Sequence, residues 1–220
     1  MMAVRIVTMG NEKDQYSLHF YPDSNKLYVK DGRMSNVDSF DAFGTDQEEV
    51  KKGTARYDAN TKGTFIICYV GAIQTSNWPL SRIPWGEIVD LRTTDLTFVT
   101  RTGKRVKLPN TEAMKAFIQN TVYPDIPKVR EAFTQHKTVK VPYRLNDFGP
   151  LGIKMFDIKS HKISDHYLHS YQIPNWNRIQ GNERKEQLVY SHGCIHMYPS
   201  DIETLKNKYI VVGHTQVTVY

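Results

Sequence analysis

Short apolar segments with alternating polar residues recur along the chain, a pattern typical of strands that bury one face. Turn-forming clusters such as Pro22-Asp23-Ser24-Asn25 separate them. The predicted fold is therefore mainly β, with β-sandwich-like mixed sheets and a few short helices. The predicted strands cover 16–21, 27–30, 40–44, 64–70, 88–91, 96–100, 105–108, 138–141 and 153–158.

Helical signals interrupt this pattern in the middle of the chain. Asn110 or Thr111 is placed to cap a helix over 112–119, and Pro127 is placed to open a second helix that runs to about Gln135. No internal repeat or low-complexity linker divides the 220 residues. We therefore predict a single domain over 1–220, with an inserted α+β subdomain at about 80–140.

The C-terminal segment carries a third helical signal. Ser200 and Glu203 have the spacing of a capping box, which predicts a short helix starting there. Beyond it, the apolar stretches 209–212 and 216–219 flank Gly213 and predict a terminal hairpin.

Composition narrows the possible partners. The net charge is +6, but basic residues are interspersed with acidic ones and never form a run of five, so we do not expect nucleic-acid binding. No stretch of 18 apolar residues is present, so no membrane span is expected. The first residues lack the apolar segment of a signal peptide, so an extracytoplasmic role would need prior trimming or another export route.

The two cysteines lie in contrasting surroundings. Cys68 falls in an apolar run, where we expect it to be a small buried side chain. Cys194 lies in Ser191-His192-Gly193-Cys194-Ile195-His196, which places a thiol beside two imidazoles. Because a thiolate is a strong nucleophile that an imidazole can generate, this segment predicts acyl transfer.

A cysteine nucleophile needs a nearby base that takes its proton. His192 is only two residues from Cys194, too close in the chain for good in-line geometry, so His169 on a neighbouring strand is the better candidate. The alternation of His192, Cys194 and His196 also suits metal ligands on a strand, although the paired Cys-x-x-Cys of many zinc sites is absent. The residues alone leave open acyl chemistry, metal binding or no chemistry.

At these residues the sequence resembles the L,D-transpeptidase family, whose catalytic unit is the YkuD-like domain. Ser191 to Ile195 match the family's Ser/Thr-His-Gly-Cys segment without gaps, and His169-Ser170 match its upstream histidine element. The segments 63–65 and 149–152 and the stretch from Ser200 onward add weaker similarity. The resemblance covers most of 15–75 and 140–220 and implies the YkuD-like fold.

The resemblance also implies roles for individual residues. Cys194 would be the nucleophile and His169 its base, with Ser170 holding the imidazole through a backbone or hydroxyl contact. His192 would support the loop, and the backbone N–H groups of Gly193 and Cys194 would bind the oxyanion. Residues expected to contact substrate are Tyr167, Trp176, Arg178, Ser191 and His196, of which His196 replaces the family's usual Asn or Arg. No cofactor or metal is implied.

The implied substrate is the tetrapeptide stem of peptidoglycan, and the implied place of action is the cell envelope, the periplasm or outside the cell. Cys194 would form a thioester and release D-Ala, giving 3→3 cross-links by transpeptidation or tripeptides by L,D-carboxypeptidase action. Without a visible signal peptide, a secreted antibacterial effector with a secretion apparatus and an immunity protein as partners is one expectation. The alternative is a non-catalytic module that binds zinc or the cell wall.

Overall fold

The computed structural model describes residues 15–44, 61–170 and 193–220. Strands dominate these ranges, and three short helices accompany them, so the predicted mainly-β class with mixed sheets is confirmed. The strands are β1 Ser17–Tyr21, β2 Lys26–Lys30, β3 Asn36–Phe43, β4 Gly63–Gly71, β5 Ile88–Arg92, β6 Thr97–Thr100, β7 Arg105–Lys107, β8 Thr138–Pro142, β9 Gly152–Asp157, β10 Lys162–Ser170, β11 Ile195–Met197 and β12 Gln216–Val219. The helices are α1 Glu112–Phe117, α2 Pro127–Gln135 and α3 Pro199–Lys208.

Eight strands form one sheet that closes into a barrel in the order β1-β12-β4-β9-β10-β11-β3-β2. Most neighbours are antiparallel, but β1 pairs with β12 in parallel and β10 pairs with β11 in parallel. Alternate side chains point inward, and α3 adds Ile202 and Leu205 to the same core. Burying each large aliphatic side chain contributes about 1.5–3 kcal/mol, so this core is a principal source of stability.

A second sheet of four strands has the order β7-β6-β5-β8. It packs with α1, a π-helical turn over Ile118–Val122 and α2 around a separate core that includes Phe98, Tyr123 and Tyr143. Thr111, one of the two predicted cap residues, caps α1 by accepting a hydrogen bond from the N–H of Met114. These elements occupy the region predicted as an insertion; the division into a domain with an inserted subdomain stays a prediction.

Asn146 joins the segments that lead from the barrel to the second sheet. Its fully buried amide donates hydrogen bonds to the carbonyl oxygens of Ile73 and Ile83, both at 2.8 Å. Its Oδ1 accepts the N–H of Phe148 at 2.9 Å. Because buried polar groups are costly when unpaired, this one side chain holds three backbone segments in place, including the segment that carries Phe148 to the site described below.

Two sequence predictions at the C-terminal end are wrong. Helix α3 begins at Pro199 after Tyr198, so Ser200 is not its N-cap; proline at the first helical position already supplies the required φ. The segment 209–212 is not a strand, and β12 makes no hairpin with it. Instead β12 lies between β1 and β4, and both of its edges are occupied in closing the barrel.

Within the described ranges, no helix has the length and apolar character needed to span a membrane.

Candidate functional site

The site is built where β10 and β11 run side by side in parallel. The register pairs Leu168 with Ile195 and His169 with His196. Leu168 and Ile195 point into the barrel core, so the residues that flank them point outward. Cys194 and His196 on one strand and His169 on the next therefore share the outer face of the sheet.

Cys194 lies immediately before β11, with its thiol against β10. The backbone N–H of Tyr167 donates to Sγ of Cys194 at 3.4 Å. The residue as a whole is half-buried, but protein atoms surround the sulfur, and this desolvation raises the pKa of the Cys194 thiol to about 11. The Tyr167 N–H favours the thiolate and opposes this shift only in part. The thiol is therefore protonated at neutral pH, and reaction requires a base.

His169 is buried and has a defined tautomer. Its Nδ1 lies 3.0 Å from the carbonyl oxygen of Ser170. A carbonyl can only accept, so Nδ1 carries the proton and Nε2 keeps its lone pair. Burial lowers the pKa of His169 well below its usual value, and the neighbouring charge of His196 lowers it further, while the Ser170 contact opposes both. The imidazole is therefore a neutral base at pH 7.

Aromatic rings enclose the His169 imidazole. Phe148 packs edge-on against His169 at a centroid distance of 5.0 Å and against Tyr167 at 5.1 Å. The ring of His196 meets that of His169 at 4.6 Å, also edge-on. His196, expected to contact substrate, is thus buried against the proposed base. Phe148 was not predicted to belong to the site, because no pattern in the sequence distinguishes it from other aromatic residues.

The Gly149-to-Gly152 loop contacts Ser170, the residue whose carbonyl oxygen holds the His169 imidazole. Gly149 has a φ of +65° and lies so close to β10 that an added Cβ would fall 2.6 Å from Oγ of Ser170 and 2.7 Å from its carbonyl oxygen. The carbonyl oxygen of Leu151, in this loop, accepts two hydrogen bonds from Ser170. The backbone N–H donates at 3.2 Å and the hydroxyl donates at 3.4 Å. The loop therefore sets the position of the carbonyl that orients His169.

Gly149→Ala is expected to slow acylation of Cys194 by about 10- to 100-fold, because moving the Ser170 carbonyl misaligns the imidazole. The measurement is the second-order rate of Cys194 modification by a carbapenem, followed by intact mass. Gly103→Ala is the matched control, since Gly103 has a φ of +84° and nothing within 4 Å of an added Cβ. Equal rates in the two variants would contradict a role for Gly149 in placing Ser170.

Gly193 adopts a φ of +94°, in the left-handed region that favours glycine. An added Cβ would lie 2.5 Å from the imidazole of His166, so that ring covers the backbone next to Cys194. Nδ1 of His166 is 2.8 Å from Oγ1 of Thr61. His166 was not predicted to belong to the site, because the bulge in β10 between Ile163 and Tyr167 hides its orientation from strand alternation.

Cys68 was predicted to be a buried side chain, and the structure shows it only partly buried. It is half-buried at a bulge of β4, and its thiol donates to the carbonyl oxygen of Lys154 at 3.4 Å. Neither cysteine forms a disulfide.

The structure brings together six of the residues predicted for the site, namely Tyr167, His169, Ser170, Gly193, Cys194 and His196. Trp176, Arg178, Ser191 and His192 lie outside the described residues. Among the residues with described positions, no three His, Cys, Asp or Glu side chains are grouped as metal ligands would be.

Comparison with known proteins gives structural likeness alone. No protein-family model matches the chain, and no curated protein matches its sequence. Bd1075 of Bdellovibrio bacteriovorus is similar at 12% identity and a TM-score of 0.42, over 94% of this chain and 47% of that one. An L,D-transpeptidase of Mycobacterium smegmatis has 13% identity and a TM-score of 0.35, over 94% and 58%. L,D-transpeptidase 1 of Mycobacterium tuberculosis has 9% and 0.33, over 94% and 61%.

The chain thus spans about half to three fifths of the length of these structures. Because the TM-scores lie below 0.5, we infer function from the residues of the site and not from the likeness.

Proposed function

We propose that the protein is a cysteine-dependent L,D-transpeptidase or L,D-carboxypeptidase that acts on the tetrapeptide stems of peptidoglycan. One observation carries the proposal. The protonated thiol of Cys194 shares the outer face of β10 and β11 with the neutral imidazole of His169, whose Nδ1 proton is held by the Ser170 carbonyl. This leaves Nε2 as the acceptor for the thiol proton.

The first half of the reaction follows from that arrangement. Sγ of Cys194 attacks the carbonyl carbon at the L-centre of the third stem residue as its proton moves to Nε2 of His169. The oxyanion would be stabilised by the backbone N–H groups of Gly193 and Cys194. When the tetrahedral intermediate collapses, the C–N bond breaks, His169 returns the proton to the amine of D-Ala, and a Cys194 thioester remains.

The second half depends on the acceptor. A side-chain amine of another stem attacks the thioester, gives its proton to His169 and forms a 3→3 cross-link while the thiol is regenerated. Water in the same position releases a tripeptide. The carbapenem reaction is the same first step with a strained lactam, whose ring opening leaves an acyl group on Cys194.

The proposed peptidoglycan substrate implies that the protein acts at the cell envelope, in the periplasm or outside the cell. Delivery by a secretion apparatus, with an immunity protein to protect the producer, stays a prediction from the sequence. The alternative of a non-catalytic module that binds zinc or the cell wall also stays a prediction, and His192, one of its possible zinc ligands, lies outside the described residues.

Incubation with purified tetrapeptide muropeptides tests the proposal. Mass spectrometry should show free D-Ala together with either 3→3 dimers or tripeptides, and a carbapenem should add its mass to the Cys194 peptide. Muropeptides that already end at the third residue are the control and should release nothing. Intact tetrapeptides after prolonged incubation, with no carbapenem adduct, would refute the proposed function.

A further inference from the structure

A row of four side chains crosses the outer face of the barrel and ends at the thiol. The register pairs Tyr69 of β4 with Lys154 of β9, and Lys154 with Tyr167 of β10. Tyr167 in turn adjoins Cys194, whose sulfur accepts its N–H. Lys154 thus lies two strands from Cys194, and two inter-strand spacings separate their backbones by about 10 Å.

The two tyrosine rings hold the Lys154 ammonium over the sheet. Nζ lies 5.6 Å from the ring centroid of Tyr69 and 5.9 Å from that of Tyr167. Cation–π attraction of this kind stabilises a position close to the rings over an extended, fully solvated one. Lys154 is half-buried, and its ammonium lies against the two rings, two strands from Cys194.

No carboxylate of the described residues neutralises this charge. The ion pairs within that part of the chain join Lys26 with Asp41, Lys115 with Glu112 and Arg144 with Asp125. Asp165 is close enough to act electrostatically on Tyr167, but it is exposed and forms no ion pair with Lys154. The ammonium therefore remains able to pair with an external anion.

We propose that Lys154, held between Tyr69 and Tyr167, binds a carboxylate of the substrate whose carbonyl is attacked by Cys194. This proposal rests on the function proposed above and names a group that selects the substrate. A span of about 10 Å between the two backbones matches a carboxylate several bonds from the reacting carbonyl. The side chain of the third stem residue, when it ends in a free carboxylate and not a carboxamide, has that chemistry.

Paired substrates test the selection. The wild-type protein should have a kcat/KM about tenfold higher for a stem with the side-chain carboxylate than for the same stem amidated there, the size of one charge-assisted contact. Lys154→Met should reduce this ratio to near one, chiefly by lowering kcat/KM for the carboxylate stem. Lys154→Arg should retain part of the preference, because the positive charge is kept.

A second measurement needs no peptidoglycan. Alkylation of Cys194 by iodoacetate and by iodoacetamide, followed by mass mapping of the Cys194 peptide, compares an anionic probe with a neutral one. Lys154→Met should lower the iodoacetate-to-iodoacetamide rate ratio severalfold. Lys159→Met is the matched control, since it removes the same charge from an exposed turn of the β9–β10 hairpin and should leave the ratio unchanged.

The outcomes separate the two proposals. A lowered alkylation ratio in Lys154→Met without turnover of either stem would refute the proposed function and support the carboxylate subsite. Turnover of both stems with the preference and the alkylation ratio unchanged in Lys154→Met would overturn the subsite. Thermal unfolding should show each variant folded, and Lys154→Gln is the second neutral variant if Lys154→Met unfolds.

Discussion

Cys194→Ala is expected to abolish release of D-Ala from tetrapeptide stems, lowering the rate by roughly 10⁵- to 10⁶-fold as loss of a covalent nucleophile does in comparable enzymes. No other thiol can take its place, because Cys68 lies at a bulge of β4 and its sulfur donates to a backbone carbonyl oxygen. The measurement is D-Ala released over time, together with intact mass after exposure to a carbapenem.

Cys68→Ala is the matched control for this variant. It removes the other thiol of the chain and should leave both D-Ala release and the carbapenem adduct close to wild type. The Cys194→Ala protein should remain folded, because replacing one sulfur on the outer face leaves the barrel core intact. Turnover above about a hundredth of the wild-type rate in folded Cys194→Ala would exclude the thioester mechanism.

His169→Gln is expected to lower the acylation rate of Cys194 by about 10²- to 10⁴-fold, the usual contribution of a positioned general base. The pH dependence should change with it. In the wild type, the neutral imidazole accepts the thiol proton, so the rate should fall only at acid pH, below 6.5, as His169 becomes protonated. Across neutral pH the wild-type profile should be flat.

The variant has no such base, so only the small thiolate fraction reacts. Its rate should rise about tenfold per pH unit up to the thiol pKa of about 11, so the flat region across neutral pH should disappear. Carbapenem acylation at a series of pH values measures both profiles. His214→Gln, at an exposed turn, should behave as the wild type. A flat region across neutral pH that persists in His169→Gln would show that another group is the base.

Local patterns were sufficient for much of the secondary structure. The predicted strands include parts of β3 and β9, which flank the site, but neither β10 nor β11, which carry it. Pro127 with its helical neighbours predicted both ends of α2. The C-terminal errors have a common cause. Ser200 and 209–212 carry valid local signals, but Pro199 starts the helix earlier, and β12 pairs with β1 and β4, distant in the chain.

The chemical groups of the site are recognisable in the amino-acid sequence alone, as a Gly-Cys pair and an upstream His-Ser pair. Their relative positions and protonation states depend on the folded structure. The parallel register of β10 and β11 places Cys194 beside Tyr167 and on the face of His169. Burial then sets the protonation of both groups, because desolvation depends on every surrounding segment and not on neighbours in the chain.

The same distinction applies to Lys154. In the sequence it is one of many basic residues on a strand, with nothing to separate it from the others. Pairing of β9 with β4 and β10 places it between two tyrosine rings and two strands from the thiol. Cross-strand neighbours come from segments about 13 and 85 positions away. Their contact is a property of the closed sheet, which no local pattern of residues encodes.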